Sequence, residues 1–236
     1  MTLGELAFGC YIYGATTGDV GYLRFLRDTA PTLDLTKYDH RKSLLKFLNN
    51  WGCRQFAKAY HVHAAKQIDR WQHRFAMTLF PITKSLQSLT SADLDLVEEA
   101  YNCLVKKTAG RRKPTSGGKA RRGGILVSFG SVGTAKILFA LRPHALMPWD
   151  DEIRKGLMLE NSSGGYRKYL LMSKKWLDDL EKDCHKQGFA LADLPVKLGR
   201  PKSSLPKLID EYLWVTMTRK CKLPTKATLQ TWINWL

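Results

Sequence analysis

The stretch from Gly123 to Lys155 holds the residues whose types and order come nearest to a chemical device. Gly130-Ser131-Val132-Gly133 sets two glycines between apolar runs, Ile125 to Phe129 before and Ala135 to Leu141 after. This spacing predicts a short apolar helix, a tight Gly-x-x-Gly hairpin and a second apolar helix. Glycines at such a turn let backbone amides at a helix N-terminus approach an anion closely, which suits a DNA phosphate. An ordinary helix–helix turn fits the same letters. One helix-length later comes Met147-Pro148-Trp149-Asp150-Asp151-Glu152-Ile153-Arg154, which predicts a helix over Glu152–Leu159. Its adjacent carboxylates, Asp150 and Asp151, can each serve as a helix N-cap.

A glycine hairpin, an apolar helix, then Pro-x-Asp opening another helix with a basic residue four places on resembles the helix-hairpin-helix (HhH-GPD) superfamily of DNA glycosylases. The resemblance spans roughly residues 90–160 at the level of motifs. Val132 and Gly133 match the second half of that family's Pro-Gly-Val-Gly hairpin, and Gly130 and Ser131 replace the first half. Thr134 and Ala135 match the Thr-Ala opening the second helix, Asp150 the family's aspartate, and Arg154 the basic residue beyond it. The resemblance implies that the hairpin grips a phosphate beside the lesion and that the aspartate drives loss of the base. The chain is short between Gly133 and Thr134, so the lysine of bifunctional members has no counterpart. Lys136 lies off that position, and a solvated or phosphate-contacting role is expected for it.

The implied activity is monofunctional hydrolysis of the N-glycosidic bond of a damaged or modified base, leaving an abasic site. A modified phage base, removed in antiviral defence, is one candidate substrate. The chemistry suits a carboxylate, because bond cleavage develops oxocarbenium character on the deoxyribose. An ionised Asp near C1′ stabilises that charge and orients or deprotonates a water. Asp150 is the expected residue and Asp151 its alternative. A base taken out of a duplex needs an aromatic pocket, for which Trp149, Tyr11 and Tyr13 are the candidates, although core packing is the commoner fate of each. The competing reading is a non-catalytic DNA- or RNA-binding protein that keeps the hairpin without the chemistry.

The bulk composition points the same way. A formal net charge of +17 on 236 residues repels itself in a compact body, and polyanions are the usual partner that rewards it. Double-stranded DNA is the expected partner. The Gly-rich stretch from Thr108 to Gly124 carries Arg111, Arg112, Lys113, Lys119, Arg121 and Arg122 with no acidic residue, and reads as a mobile clamp on the backbone. The basic residues do not lie along one long amphipathic helix, which argues against a membrane surface.

The elements around this segment read as helices. Leu44, Leu45, Phe47 and Leu48 share a face that Asn49-Asn50-Trp51-Gly52 stops. Ala65, Ile68, Trp71, Phe75 and Leu79 mark a second helix. Leu94, Val97, Tyr101 and Leu104 mark a third, capped by Thr90 or Ser91 with acids early and Lys106 and Lys107 late. Leu170, Ser173, Leu177, Leu180 and Cys184 mark a fourth, ended by Gly188. Leu208, Ile209, Tyr212 and Val215 mark a last one starting near Ser203–Pro206. Residues 1–35 show weak periodicity and several glycines, so turns are expected there, with a short helix near Tyr22–Arg27.

The expected fold is all-α: a two-lobed helical bundle with a helix-hairpin-helix motif and the active site in the cleft between lobes. One lobe would comprise 1–90 with 160–236, the other 91–159. Five scattered cysteines without a C-x-x-C pair support neither a disulfide framework nor a metal cluster. His61 and His63 are spaced for one face of a strand but lack a third ligand, so no metal and no cofactor is expected. The start, Met1 to Glu5, has no basic leader, and no uncharged apolar run spans a bilayer. A cytoplasmic monomer is the expectation.

Overall fold

The computed structural model describes residues 1–56, 58–75, 78–112 and 125–234. It is mostly helical, as expected, and the chain divides into two compact units. Unit 1 comprises Met1–Asp19, Pro81–Thr90 and Arg142–Leu236, and unit 2 comprises Val20–Phe80 and Ser91–Leu141. The division therefore falls inside the segment 91–159 read from sequence as one lobe, and residues 20–80 join 91–141. No helix among the described residues is long and apolar enough to cross a membrane.

Unit 1 is built on α1 (Leu3–Thr17), where turns were expected. Thr2 and Glu5 form a reciprocal capping box, which satisfies two orphan amides at the helix start. Leu3, Gly4, Leu6, Ala7, Gly9, Cys10 and Tyr13 are buried, and Phe8, Tyr11 and Ile12 carry apolar side chains onto the less buried face, so no apolar stripe stands out. The glycines are packing contacts rather than breaks. A Cβ on Gly4 would stand 2.7 Å from the Leu229 carbonyl oxygen of α11 (Lys226–Ile233), and one on Gly9 would stand 2.7 Å from Cα of Tyr212 in α10 (Leu205–Leu213). Further along are α7 (Asp151–Gly156), α8 (Ser163–Lys186) and the short α9 (Leu194–Lys197). Ser162 caps α8, and its expected stripe from Leu170 to Cys184 is buried throughout. After α10 the helix widens over Trp214–Thr218, with the Arg219 amide bonded to the Trp214 carbonyl. Leu208, Ile209 and Val215 are buried as expected, and Tyr212 is half-buried.

An ionic network closes the packing of α1 on α10. Lys207 Nζ lies 2.9 Å from Glu211 Oε1 and 3.5 Å from Asp19 Oδ2, and 4.1 Å from the centroid of the Tyr13 ring. Arg200 reaches the same two carboxylates at 2.7 and 3.2 Å, and the Tyr13 hydroxyl donates to Asp19 at 3.0 Å. Lys207 and Glu211 are wholly buried. Burial opposes the Lys207 ammonium, but Glu211, Tyr13 and Asp19 outweigh it and hold its pKa above the ordinary value. Charges buried this way need mutual pairing to be tolerated.

Unit 2 packs α2 (Val20–Asp28), α3 (Tyr38–Asn50), α4 (His61–Phe75), α5 (Ser91–Val105) and α6 (Gly130–Leu141). The expected stripes of α3 and α5 are buried. In α4, Ala65, Ile68, Trp71 and Phe75 are buried, and Leu79 is buried just beyond its end. Trp51 packs 4.4 Å from Phe47 and stacks at 5.8 Å on both Tyr22 and Phe139, which ties α2, α3 and α6 together. The Trp71 indole donates to the Ala100 carbonyl at 3.0 Å, joining α4 to α5. A two-stranded antiparallel ribbon, β1 (Thr108–Arg112) and β2 (Ile125–Ser128), pairs Arg111 with Leu126 and Arg112 with Ile125. A bulge lies between Thr108 and Gly110, and Ala109 there is buried.

Candidate functional site

The strand β2 corrects the expected helix before the glycine pair. Ile125 and Leu126 are 56% and 60% exposed, so their apolar run reflects ribbon pairing and not a buried helical face. Gly130 and Gly133 consequently form no hairpin between helices: both lie in the first turn of α6, with Gly130 at φ +66°. The Gln55 amide donates to the Phe129 carbonyl at 2.9 Å. A Cβ on Gly133 would stand 3.0 Å from that same amide nitrogen and 3.1 Å from the Phe56 ring. The close approach that Gly133 permits is thus to protein, where sequence suggested a phosphate.

From Gly133 to Leu141 every residue of α6 is buried, which sets two more residues apart from their expected role. Thr134 is 0% exposed and does not face DNA. Lys136 is also buried; its ammonium donates to the Trp51 carbonyl at 2.6 Å and lies over the Trp51 ring, so it is neither solvated nor placed on a phosphate. Ser131 and Val132 remain half-buried.

Asp150, in unit 1, is held from several sides. Its Oδ1 accepts from the Ile153 amide at 2.8 Å, which makes Asp150 the N-cap of α7, and its Oδ2 accepts from the Thr218 hydroxyl at 2.9 Å. The widened turn after α10 carries Thr218 to this position, as an extra residue in a helical turn re-aims side chains. The preceding backbone is fixed by α8: the Tyr166 and Tyr169 hydroxyls donate to the carbonyls of Met147 and Pro148 at 2.7 and 3.3 Å. Trp149 stacks on Tyr169 and meets Tyr166 edge-on. Burial, then Asp210, Tyr166 and Asp150, push the Tyr169 hydroxyl well above its ordinary pKa, so it stays a donor. Asp150 itself is half-buried. Asp151 is exposed and pairs with Arg154 at 3.5 Å. Arg154 also donates to the Leu159 carbonyl at 3.1 Å, closing the end of α7.

The expected base-pocket aromatics separate. Trp149 is 0% exposed and Tyr13 is buried within the ionic network, so both are core residues and neither is an open pocket wall. Tyr11 is 60% exposed, with its ring 4.8 Å from that of Trp232. Tyr166, Tyr169 and Thr218, the groups that fix Asp150, escaped sequence reasoning. The two tyrosines were visible only as an N-terminal extension of the α8 stripe.

Within unit 2, Arg111 lines a groove of about 500 Å³ together with Tyr60, His63, Gln67, Lys106 and Lys107. His61 and His63 lie on α4 and not on a strand: His61 is buried with Nε2 2.9 Å from the Phe56 carbonyl, and His63 is exposed. Lys113, Lys119, Arg121 and Arg122 lie outside the described residues, as does the side chain of Arg112. Among the described residues no group of three or more His, Cys, Asp or Glu is placed to hold a metal ion. Compared with known proteins, the chain matches no family model, no curated protein and no solved structure.

Proposed function

We propose that the protein is a DNA glycosylase that hydrolyses the N-glycosidic bond of a damaged or modified base, with Asp150 as the catalytic carboxylate. The observation that carries this reading is the fixed orientation of Asp150 by the Ile153 amide and the Thr218 hydroxyl, on backbone held by Tyr166 and Tyr169. Preorganisation of this kind makes a carboxylate useful against a developing positive charge, because no reorganisation is needed as the bond breaks. In the reaction the C1′–N bond breaks with its electron pair leaving on the base. The sugar becomes oxocarbenium-like, and a water oxygen bonds to C1′ as Asp150 takes its proton. No lysine is assigned a covalent role, so the product is an abasic site. The net charge of +17 supports a polyanionic substrate.

The test is incubation of the protein with duplexes that each carry one modified base, with free base read by mass spectrometry and abasic sites by alkaline cleavage. Base release without borohydride-trapped protein–DNA adduct is expected. Release of no base from any duplex, or efficient trapping, overturns the proposal.

A second reading, a nucleic-acid-binding protein without this chemistry, is favoured by one observation. The first helix of the motif is replaced by β2, and Gly133 and Thr134 are buried, so the phosphate grip implied by the resemblance is not formed as that family forms it. Salt-sensitive DNA binding without base release is the outcome it expects.

A further inference from the structure

The groove beside the ribbon of unit 2 is lined by three basic side chains, Lys106, Lys107 and Arg111, and, among the described residues, by no acidic one. Two of these directly follow the C-terminus of α5, where a cation complements the helix dipole. Arg111 lines the same groove from β1. The wall between them is aromatic. The Tyr60 ring lies against Gly110, where a Cβ would come within 2.8 Å of the ring carbon Cγ. Only glycine at that position of β1 lets the ring and the ribbon meet so closely. Gln67 adds an amide that both donates and accepts. The volume of about 500 Å³ falls within the range of about 300–1,000 Å³ typical of sites that enclose a small ligand or part of a chain. No Asp or Glu occurs in the surrounding sequence between Glu99 and Asp150.

Cations that converge on a concave surface with one aromatic wall match the requirements of an unpaired nucleic-acid strand. Such a strand offers phosphates to the cations and a free base face to the ring, whereas in a duplex the base faces are stacked away. We propose that this groove binds an unpaired stretch of DNA, with phosphates on Lys106, Lys107 and Arg111 and a base against Tyr60. The inference rests on the reading of the protein as one that acts on DNA, and gives that reading a contact surface in unit 2. His63, exposed at the first turn of α4, and Gln67 on the same helix lie along the strand's edge and can meet sugar or base polar groups.

The test is fluorescence anisotropy with labelled, unmodified oligonucleotides, single-stranded and duplex, over a range of salt. The full-length protein is compared with Lys106→Gln, Lys107→Gln, Arg111→Gln, Tyr60→Leu and Tyr60→Phe. Each cation variant is expected to flatten the salt dependence on the single strand by about 0.7 in log–log slope. Tyr60→Leu is expected to weaken single-strand binding by about 5- to 150-fold, with a smaller effect on duplex, and Tyr60→Phe to bind as wild type. Lys182→Glu, an exposed substitution on α8, is expected to change nothing beyond its general charge. Tyr60 packs on the ribbon, so exposed Lys106 supplies the variant that leaves the fold intact.

Wild-type binding by the three cation variants overturns the groove as a site. Equal losses on duplex and single strand, with no effect of Tyr60→Leu, overturn the unpaired strand as its occupant. The readout is binding alone, so absence of base release leaves this inference standing. Base release with unaffected groove variants removes the groove and spares the glycosylase reading.

Discussion

Replacing Lys207 by Met is expected to destabilise the protein by about 3–5 kcal/mol, the usual consequence of stripping one partner from a buried ion pair. The magnitude follows from the surroundings. Lys207 is wholly buried, 2.9 Å from Glu211 and 3.5 Å from Asp19. In its absence Arg200, at 2.7 and 3.2 Å, faces both carboxylates. The Met side chain nearly fills the lysine stem, so the loss is electrostatic and little cavity is created. At about 2–4 °C per kcal/mol for a chain of this size, the melting temperature falls by roughly 6–20 °C.

The loss also has a sign in pH. Burial raises the pKa of Glu211, with Lys207 and Arg200 opposing it, and removal of Lys207 raises it further. A carboxyl whose pKa is higher folded than unfolded binds more protons in the native state, so stability rises as pH falls through the folded value. Glu211 Oε2 has no hydrogen-bond partner among the described residues, which leaves it ready to take that proton. The deficit of Lys207→Met should therefore shrink on acidification, and Glu211→Gln added to it should recover part of the loss. Urea denaturation followed by tryptophan fluorescence is a suitable assay, since Trp214 packs 5.4 Å from Tyr13 at the edge of the network. A loss below about 1 kcal/mol, or one independent of pH, would refute the reasoning.

Two further outcomes are expected. Gly9→Val should destabilise by about 1–3 kcal/mol or more, because its side chain meets the α10 backbone and cannot be relieved by a rotamer change; an unchanged urea midpoint would contradict the close packing of α1. Native-state alkylation at pH 8 should modify the half-buried Cys103 and Cys221 well before the buried Cys10, Cys53 and Cys184. Burial, with Asp183 and Glu181, pushes the Cys184 thiol up to about 11, so little thiolate is present to react; mass spectrometry that finds Cys184 labelled first would count against that environment.

Helices with one buried face were readable from residue spacing: α3, α5 and α8 carry the stripes that the sequence announced. α1 was not, since it is enclosed on several sides and its glycines admit neighbouring helices where turns were expected. The run Ile125 to Ser128 was misread because a short apolar segment carries no period, and its pairing with Thr108–Arg112 is a non-local fact. Lys207 and Glu211, four residues apart, have the spacing of a surface helix pair, and only the packing of α1 over them makes them interior. For the site, Asp150 could be picked out by its place after Pro148 and Trp149. Its capping bond from the Ile153 amide, three residues on, was readable, whereas Thr218, 68 residues away, and the Tyr166 and Tyr169 hydroxyls that fix the backbone before it were not.

Single-turnover base release by Asp150→Asn, on a duplex that the wild-type protein cleaves, tests the catalytic assignment most directly. Asparagine caps a helix about as well as aspartate, so α7 and the fold should survive while the negative charge is removed. The expected result is unchanged DNA affinity and melting temperature with a rate lowered by about 10²–10⁴-fold. Release at the wild-type rate would remove Asp150 from the chemistry and contradict the account.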